Sequence, residues 1–225
     1  MIFHPQLGLE KNHLDLFESY KHGPIQRDEA IFLFGMVRVI RPSTIVEFGL
    51  QTGLSAYNFC LAKDEDCFYF GLDKEQFCVD SASKLCKNLK NCFFIKDDCV
   101  NFNSEMIQGR FIDLFFLDCS HIFELNKKCL QKVIPLLSKN GIVIIHDTGY
   151  YTKEGFEKSP ESYRKKNEKL GDNIRKSGKV AVIKSEQKTV NWFMDEYGEF
   201  SVMHFHSDKV MRNGMTLMQK TSKLD

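Results

Sequence analysis

The stretch Ile45-Val46-Glu47-Phe48-Gly49-Leu50-Gln51-Thr52-Gly53-Leu54-Ser55 holds the residue types of a ligand cradle. Gly49 and Gly53 stand between a short apolar run and a helical pattern that opens at about Leu54. Glycines let the backbone approach a ligand, and the free N–H groups of a helix's first turn favour an anionic group. Glu47 lies inside the apolar run, a costly place for a carboxylate unless something pairs with it. Asp73 follows Gly53 by 20 residues. That spacing suits a carboxylate that accepts hydrogen bonds from both ribose hydroxyls of a nucleoside cofactor. Further acids follow apolar runs at Asp97/Asp98, Asp118 and Asp147. A single Asp after a strand is ordinarily a helix cap or a turn former. As a set they carry more weight, because the carboxyl ends of parallel strands share one rim, where open sheets bind their ligands. The glycine pattern is Glu-x-Gly-x-x-x-Gly rather than G-x-G-x-x-G, which argues against a nicotinamide dinucleotide.

These residues need elements to hold them, and the hydrophobic pattern supplies an alternating series. From Gln26 to Ile40 apolar residues recur at helical spacing, with Asp28 and Glu29 in the first turn, until Pro42 ends the run. Strands are expected at Ile45–Phe48, Cys67–Leu72, Cys92–Ile95, Ile112–Leu117 and Ile142–Ile145. Helices are expected over Leu54–Leu61, Val79–Leu89 and Leu125–Leu137, the last closed by Asn140-Gly141 as a left-handed cap. Strands that are apolar throughout and alternate with helices imply a parallel sheet covered on both faces. Residues 149–178 are charged and read as a loop, a lid or an inserted helix. Thr189–Glu196 reads as a helix, and Phe200–His206 and Gly214–Gln219 as an antiparallel hairpin at the sheet edge. The fold expected is therefore α/β: a doubly wound, Rossmann-like sheet of seven strands, mostly parallel, in a single domain. Residues 1–24 would form an N-terminal lid or oligomer segment, and 149–185 a lid or substrate insertion.

Bulk properties narrow the classes. The 225 residues suit one α/β domain, and a formal net charge of +1 gives no reason to expect nucleic acid or an acidic membrane surface as partner. The 20 phenylalanines read mainly as core. Eight cysteines, at 60, 67, 78, 86, 92, 99, 119 and 129, form no C-x-x-C pair and no zinc spacing. Buried or free thiols in a reducing cytoplasm are the expectation. No secretory apolar region and no run of 18 apolar residues occurs, so a soluble protein is expected. Phe-rich N-terminal surfaces are compatible with a homodimer.

Val46-Glu47-Phe48-Gly49-Leu50-Gln51-Thr52-Gly53-Leu54-Ser55-Ala56 resembles the first motif of class I S-adenosylmethionine-dependent methyltransferases. The resemblance is to the catechol O-methyltransferase-like group and its bacterial relatives that methylate sugar or natural-product hydroxyls. Asp113-Leu114-Phe115-Phe116-Leu117-Asp118-Cys119-Ser120-His121 resembles a second motif of that group. Pro135-Leu136-Leu137-Ser138-Lys139-Asn140-Gly141, running into Ile144-Ile145-His146-Asp147-Thr148, resembles a third. Val190-Asn191-Trp192 and Arg212-Asn213-Gly214-Met215-Thr216-Leu217 resemble the closing strands of the bacterial subgroup.

Residue by residue, the resemblance implies that Glu47, Gly49 and Gly53 line the methionine end of S-adenosylmethionine and that Ser55 meets its carboxylate. Asp73 would take the ribose, and Asp98 and Cys99 would flank the adenine. Asp118 would border the cofactor and, with Asp147, hold a divalent cation, expected to be Mg²⁺. The group commonly has Asn after its second metal Asp; here Thr148 stands there and would supply the oxygen. His121 falls where the group places its general base. A hard cation held by carboxylates lowers the pKa of an acceptor hydroxyl, and a histidine three residues on can take the proton. The bland reading of His121 is a hydrogen-bonded structural histidine. That reading is preferred for His146, while His204 and His206 read as structural or substrate-facing, Trp192 as packing and Lys153 to Lys179 as a solvated lid face. The expected activity is O-methylation of a hydroxyl on a small molecule, with metal assistance. The rivals are a non-catalytic S-adenosylmethionine-binding protein and a nicotinamide-dependent reductase.

Overall fold

The computed structural model describes residues 25–158, 161–206 and 213–221. The expected lid or oligomer segment at 1–24, and Arg212, lie outside the described residues. Helix α1 (Arg27–Ile40) opens with a capping box in which the Gln26 N–H donates to Glu29 Oε2 at 2.8 Å. It closes at Arg41, which is left-handed (φ 50°), just before Pro42. Strand β1 (Thr44–Phe48), helix α2 (Leu54–Ala62), strand β2 (Phe68–Asp73), helix α3 (Gln76–Leu85) and strand β3 (Cys92–Lys96) follow in alternation. Then come β4 (Ile112–Leu117), α4 (Phe123–Val133) and β5 (Leu137–His146).

The sheet has seven strands in the order β3-β2-β1-β4-β5, continued by β9 (Met215–Lys220) and β8 (Phe200–Phe205). The first five are parallel; β9 runs antiparallel to β5 and pairs antiparallel with β8, so the sheet is doubly wound and mostly parallel with the antiparallel hairpin at its edge, as expected. Period-2 alternation splits the core into two layers. Ile45, Tyr69, Leu114, Phe116 and Ile144 face α1, α2 and α3. Val46, Phe48, Phe70, Phe115 and Ile145 face α4 and a late helix, α8 (Lys184–Glu196).

The expectation for the end of the helix after β4 fails locally. Helix α4 stops at Val133 and passes through a 3-10 turn, Ile134–Leu136. Pro135 has no N–H to continue the ladder, and Leu137 already pairs with Ile112 of β4. Asn140-Gly141 is thus part of β5, and neither residue is left-handed. The charged stretch after β5 is more than a loop. Strands β6 (Tyr150–Thr152) and β7 (Lys179–Ala181) pair antiparallel and enclose helices α5 (Lys153–Lys158), α6 (Glu161–Lys166) and α7 (Glu168–Ser177). Among the described residues of these helices, Phe156 and Ile174 are buried. All eight cysteines are free thiols and six are buried. Among the described residues no helix is long and apolar enough to cross a membrane. Trp192 packs edge-on against Phe123, Phe193 and Tyr197, as expected of a packing residue.

Candidate active site

The ends of β1, β2, β4 and β5 bring the strand-end acids to one rim. Parallel pairing continues past the strands: the Gly49 N–H donates to the Leu72 carbonyl and the Asp118 N–H to the Phe48 carbonyl, both at 2.9 Å. Gly49 (φ 94°) sits so close to β4 that a Cβ there would lie 2.3 Å from the Asp118 carbonyl oxygen. Gly53 (φ 81°) caps α2, and a Cβ there would lie 2.5 Å from Ala82 Cα on α3. The turn therefore threads between two backbones, and only glycine fits at either end of it.

Glu47 points into the α1–α3 layer and is fully buried. It receives the two donors a buried carboxyl requires: the Ser55 hydroxyl and the Tyr69 hydroxyl, the latter at 2.5 Å. Burial still dominates and raises its pKa to about 8 against these two hydrogen bonds. Ser55, expected to meet the cofactor's carboxylate, thus donates to Glu47. Asp73 organises the glycine turn: its Oδ2 accepts from the N–H groups of Leu50 (2.9 Å) and Gln51 (3.4 Å), its Oδ1 from Glu75 (2.9 Å). Asp98 caps the short 3-10 turn Cys99–Asn101 by accepting from the Val100 N–H at 3.1 Å. Cys99 is buried beside the Cys119 thiol, whose hydrogen bond, with burial, pushes its pKa up.

Asp118, His146 and Asp147 converge at the ends of β4 and β5, with one ligand-type atom from each within 4.8 Å of the others. His146 is 3% exposed, and its Nε2 lies 3.1 Å from Glu29 Oε2 of α1. Its Nδ1 lies 3.3 Å from Asp118 Oδ2 and 3.5 Å from Asp147 Oδ1, aligned with neither for a hydrogen bond. Burial acts to lower the His146 pKa, but the carboxylates of Asp118 and Glu29 outweigh it, and the pKa is raised. Asp147 is left-handed (φ 57°), a backbone state uncommon outside glycine. Burial, with the Asp118 charge behind it, raises the Asp147 carboxyl to about 6 against the lowering by His146.

His121 lies just before α4. Its Nδ1 is 3.2 Å from Glu186 Oε1, its Nε2 is 3.8 Å from Asp147 Oδ2, and its side chain is half-exposed. Glu186, at the start of α8, is itself buried and takes a 2.8 Å hydrogen bond from Asn126 of α4. The Glu186 hydrogen bond raises the His121 pKa over the opposing effect of burial, and Asp147 adds to the rise.

The expected ligand Thr148 is placed differently from the two aspartates. It is fully buried, and its hydroxyl accepts a 2.9 Å hydrogen bond from Thr216, which is 2.8 Å from His204 Nδ1. His204 and His206 both stack edge-on near Tyr150. Of the residues expected at the site, Asp73, Asp118 and Asp147 stand at strand ends on one rim with His121 beside Asp147, while Glu47 is buried within β1. The sequence reading missed Glu29 and Glu186, and it gave His146 no part in the site. The two glutamates lie 117 and 65 residues from their histidines; in the sequence Glu29 is a first-turn acid of the expected helix, and Glu186 lies ahead of the one expected at Thr189–Glu196.

Four carboxylates (Glu29, Asp118, Asp147 and Glu186) face the two histidines His121 and His146. Such an excess of negative charge around unpaired inward-facing atoms suits a cation. The buried, unpartnered Nδ1 of His146 and Oδ1 of Asp147 fit that group.

Comparison with known proteins agrees with this geometry. Residues 46–148, which run from β1 to the end of the acidic rim, match a family described as a methyltransferase domain. No curated protein matches the sequence. Among solved structures the chain is similar to an O-methyltransferase from Bacillus cereus in complex with SAH, at 12% identity and a TM-score of 0.65, covering 94% of this chain and 92% of that one. It is similar to the O-methyltransferase TomG from Streptomyces achromogenes, involved in tomaymycin synthesis and bound to SAM (13% identity, TM-score 0.65, coverage 96% and 93%). It is also similar to an SAH-bound methyltransferase from Podospora anserina (15%, TM-score 0.64, coverage 97% and 89%). At these identities the likeness speaks for the fold. Residues 46–148 thus match a methyltransferase domain, and the chain as a whole has the fold of these solved methyltransferases.

Proposed function

We propose that the chain transfers the methyl group of S-adenosylmethionine to a hydroxyl oxygen of a small molecule, with a divalent cation held by Asp118 and Asp147 and with His121 as general base. The observation that carries this reading is the meeting of Asp118, His121 and Asp147 at the mouth of the glycine turn. When bound, the cofactor supplies an electrophilic methyl on sulfonium, and the cation lowers the pKa of the acceptor hydroxyl.

The chain's own residues do the rest. Gly49 and Gly53 let the cofactor's methionine end approach the backbone, and Ser55 acts on that end through Glu47, which its hydroxyl fixes. Asp73 offers its carboxylate to the ribose from the turn it already organises, and Asp98 and Cys99 border the adenine. Neutral His121 donates Nδ1–H to Glu186, which leaves the Nε2 lone pair free to take the acceptor's proton. The imidazolium that forms lies between Glu186 and Asp147, both of which stabilise its charge. Thr148, with its hydroxyl given over to Thr216, supports β5 against β9. The distant likeness to O-methyltransferases supports oxygen as the acceptor atom.

The test is a screen of catechols, sugars and glycosylated metabolites with SAH formation as the readout. Asp118→Asn and His121→Ala should each lower turnover at least about 100-fold while calorimetric SAH affinity changes by less than about tenfold. Full activity in both variants overturns the assignment. SAH binding with no transfer to any acceptor, and no effect of Mg²⁺, favours a binding protein without catalysis.

A further inference from the structure

We propose that His146, rather than Thr148, completes the cation site as a nitrogen ligand beside Asp118 and Asp147, positioned by Glu29, and that the site therefore takes a first-row transition ion in preference to Mg²⁺. The inference deepens the function proposed above and rests on its cation.

Three observations converge. First, His146 is buried, and its Nδ1 faces Asp118 and Asp147 at 3.3 and 3.5 Å without hydrogen-bonding geometry to either. Asp147 Oδ1, across from it, is equally without a hydrogen-bond partner. Buried polar atoms left this way ordinarily signal a missing third party. Atoms that point at a common space between them suit an ion at that space better than a pair of mutual hydrogen bonds.

Second, the far nitrogen is already spoken for. Nε2 lies 3.1 Å from Glu29 Oε2, and that oxygen also accepts the Gln26 N–H at 2.8 Å. Glu29 is thus pinned by the capping box of α1, and it fixes the tautomer with Nε2–H toward itself and the Nδ1 lone pair toward the aspartates. A carboxylate on the outer N–H of an imidazole is the usual way a ligating histidine is oriented and made more basic.

Third, the backbone brings the two adjacent residues together. Neighbouring residues of a strand point to opposite faces, which would part His146 from Asp147. The left-handed conformation of Asp147 breaks that alternation as β5 ends, so that both reach Asp118. The Thr148 hydroxyl instead meets the Thr216 hydroxyl of β9 at 2.9 Å. An imidazole nitrogen among carboxylate oxygens shifts preference away from Mg²⁺, which is held by oxygen, toward Mn²⁺, Fe²⁺, Co²⁺ or Zn²⁺.

The experiment uses the full chain, stripped with EDTA and titrated with Mn²⁺. Free Mn²⁺ is followed by electron paramagnetic resonance, and ¹⁴N coupling to the bound ion by its pulsed form. The wild-type protein should bind Mn²⁺ at least about tenfold more tightly than Mg²⁺ in competition and show nitrogen coupling. That coupling should persist in His121→Gln and vanish in His146→Gln. Glu29→Gln, which keeps an acceptor oxygen for the cap, should retain the coupling and weaken Mn²⁺ binding about tenfold.

Bound Mn²⁺ without nitrogen coupling in the wild type overturns the inference and leaves an oxygen-ligated cation intact. Coupling lost in His121→Gln instead of His146→Gln overturns it too. If no ion binds at millimolar concentration while SAH still does, the cation is absent and His146 carries the positive charge itself. That outcome sinks this inference without touching the methyltransferase assignment. Coupling that persists in His121→Gln decides the matter even if His146→Gln does not fold.

Discussion

His121 holds its proton to a higher pH than a free imidazole because Glu186 accepts from its Nδ1 and Asp147 faces its Nε2. As a base it works only when neutral. The rate should therefore rise with pH through a limb lying above the ordinary imidazole value of about 6.5. Glu186→Gln removes the charge and keeps a hydrogen-bond acceptor, so the limb should move to lower pH while the plateau falls with the weaker base. A pH profile of kcat/KM checks this, and an unmoved limb would separate His121 from the proton transfer. Glu47 makes the opposite kind of residue-level statement. Its carboxyl is raised from an ordinary 4.5 to about 8 by burial. The folded protein thus binds that proton more tightly than the unfolded chain. The associated stability is fully present below about pH 4.5 and is lost as pH rises through about 8. The whole span corresponds to roughly 5 kcal/mol. Glu47→Gln, which keeps groups for Ser55 and Tyr69, should flatten the decline in urea-unfolding free energy between those pH values. A variant whose pH slope matched the wild type would mean that Glu47 ionises in the fold at no cost.

At the scale of elements, the glycine turn is where sequence and packing constrain each other most tightly. A Cβ at Gly53 meets the α3 backbone at 2.5 Å, and one at Gly49 meets the carbonyl of Asp118 at 2.3 Å. Backbone on both sides cannot yield as a flexible side chain would, and both glycines have φ in the left-handed region. Gly49→Ala and Gly53→Ala should each cost more than about 2 kcal/mol in unfolding free energy and weaken SAH binding at least about tenfold by calorimetry. Alanine variants with wild-type melting and SAH affinity would show that the turn can open. This turn was legible from the sequence because strand, glycines and helix start are all local signals. The strand-end acids were legible for a related reason: apolar runs such as Ile112–Leu117 announce parallel strands, and parallel strands put their carboxyl ends on one rim. Elements without a local signature were not. Strands β6 and β7 are three residues each, too short to show a period of two. The end of α4 was placed too late because Leu136 and Leu137 extend its apolar pattern, although Pro135 stops the helix. Glu29 and Glu186 look like ordinary first-turn acids of helices, and only the tertiary fold brings them to histidines.

Across the whole molecule, the rim is fastened from both layers. Glu29 reaches His146 from α1 on one face of the sheet, and Glu186 reaches His121 from α8 on the other. The two core layers lie on opposite faces of the sheet, so a ligand seated along the rim spans elements that belong to both. Binding there should stabilise the domain as one unit and sharpen, rather than split, its unfolding transition. Mass action sets the size: SAH at 100 times its Kd should add about 2.7 kcal/mol. For a domain of this length that is a rise in Tm of roughly 5–10 °C. NADH at the same concentration should give no rise, because the turn after β1 carries Glu-x-Gly-x-x-x-Gly and its two glycines are already closed against Asp118 and Ala82. Differential scanning fluorimetry with the two ligands side by side measures this directly. A larger shift with NADH than with SAH would mean that the acidic rim grips a dinucleotide, and the reductase reading would displace methyl transfer. A SAH shift that appears in only one of two resolved transitions would show instead that the layers melt independently, and that Glu29 and Glu186 do not act on a common site.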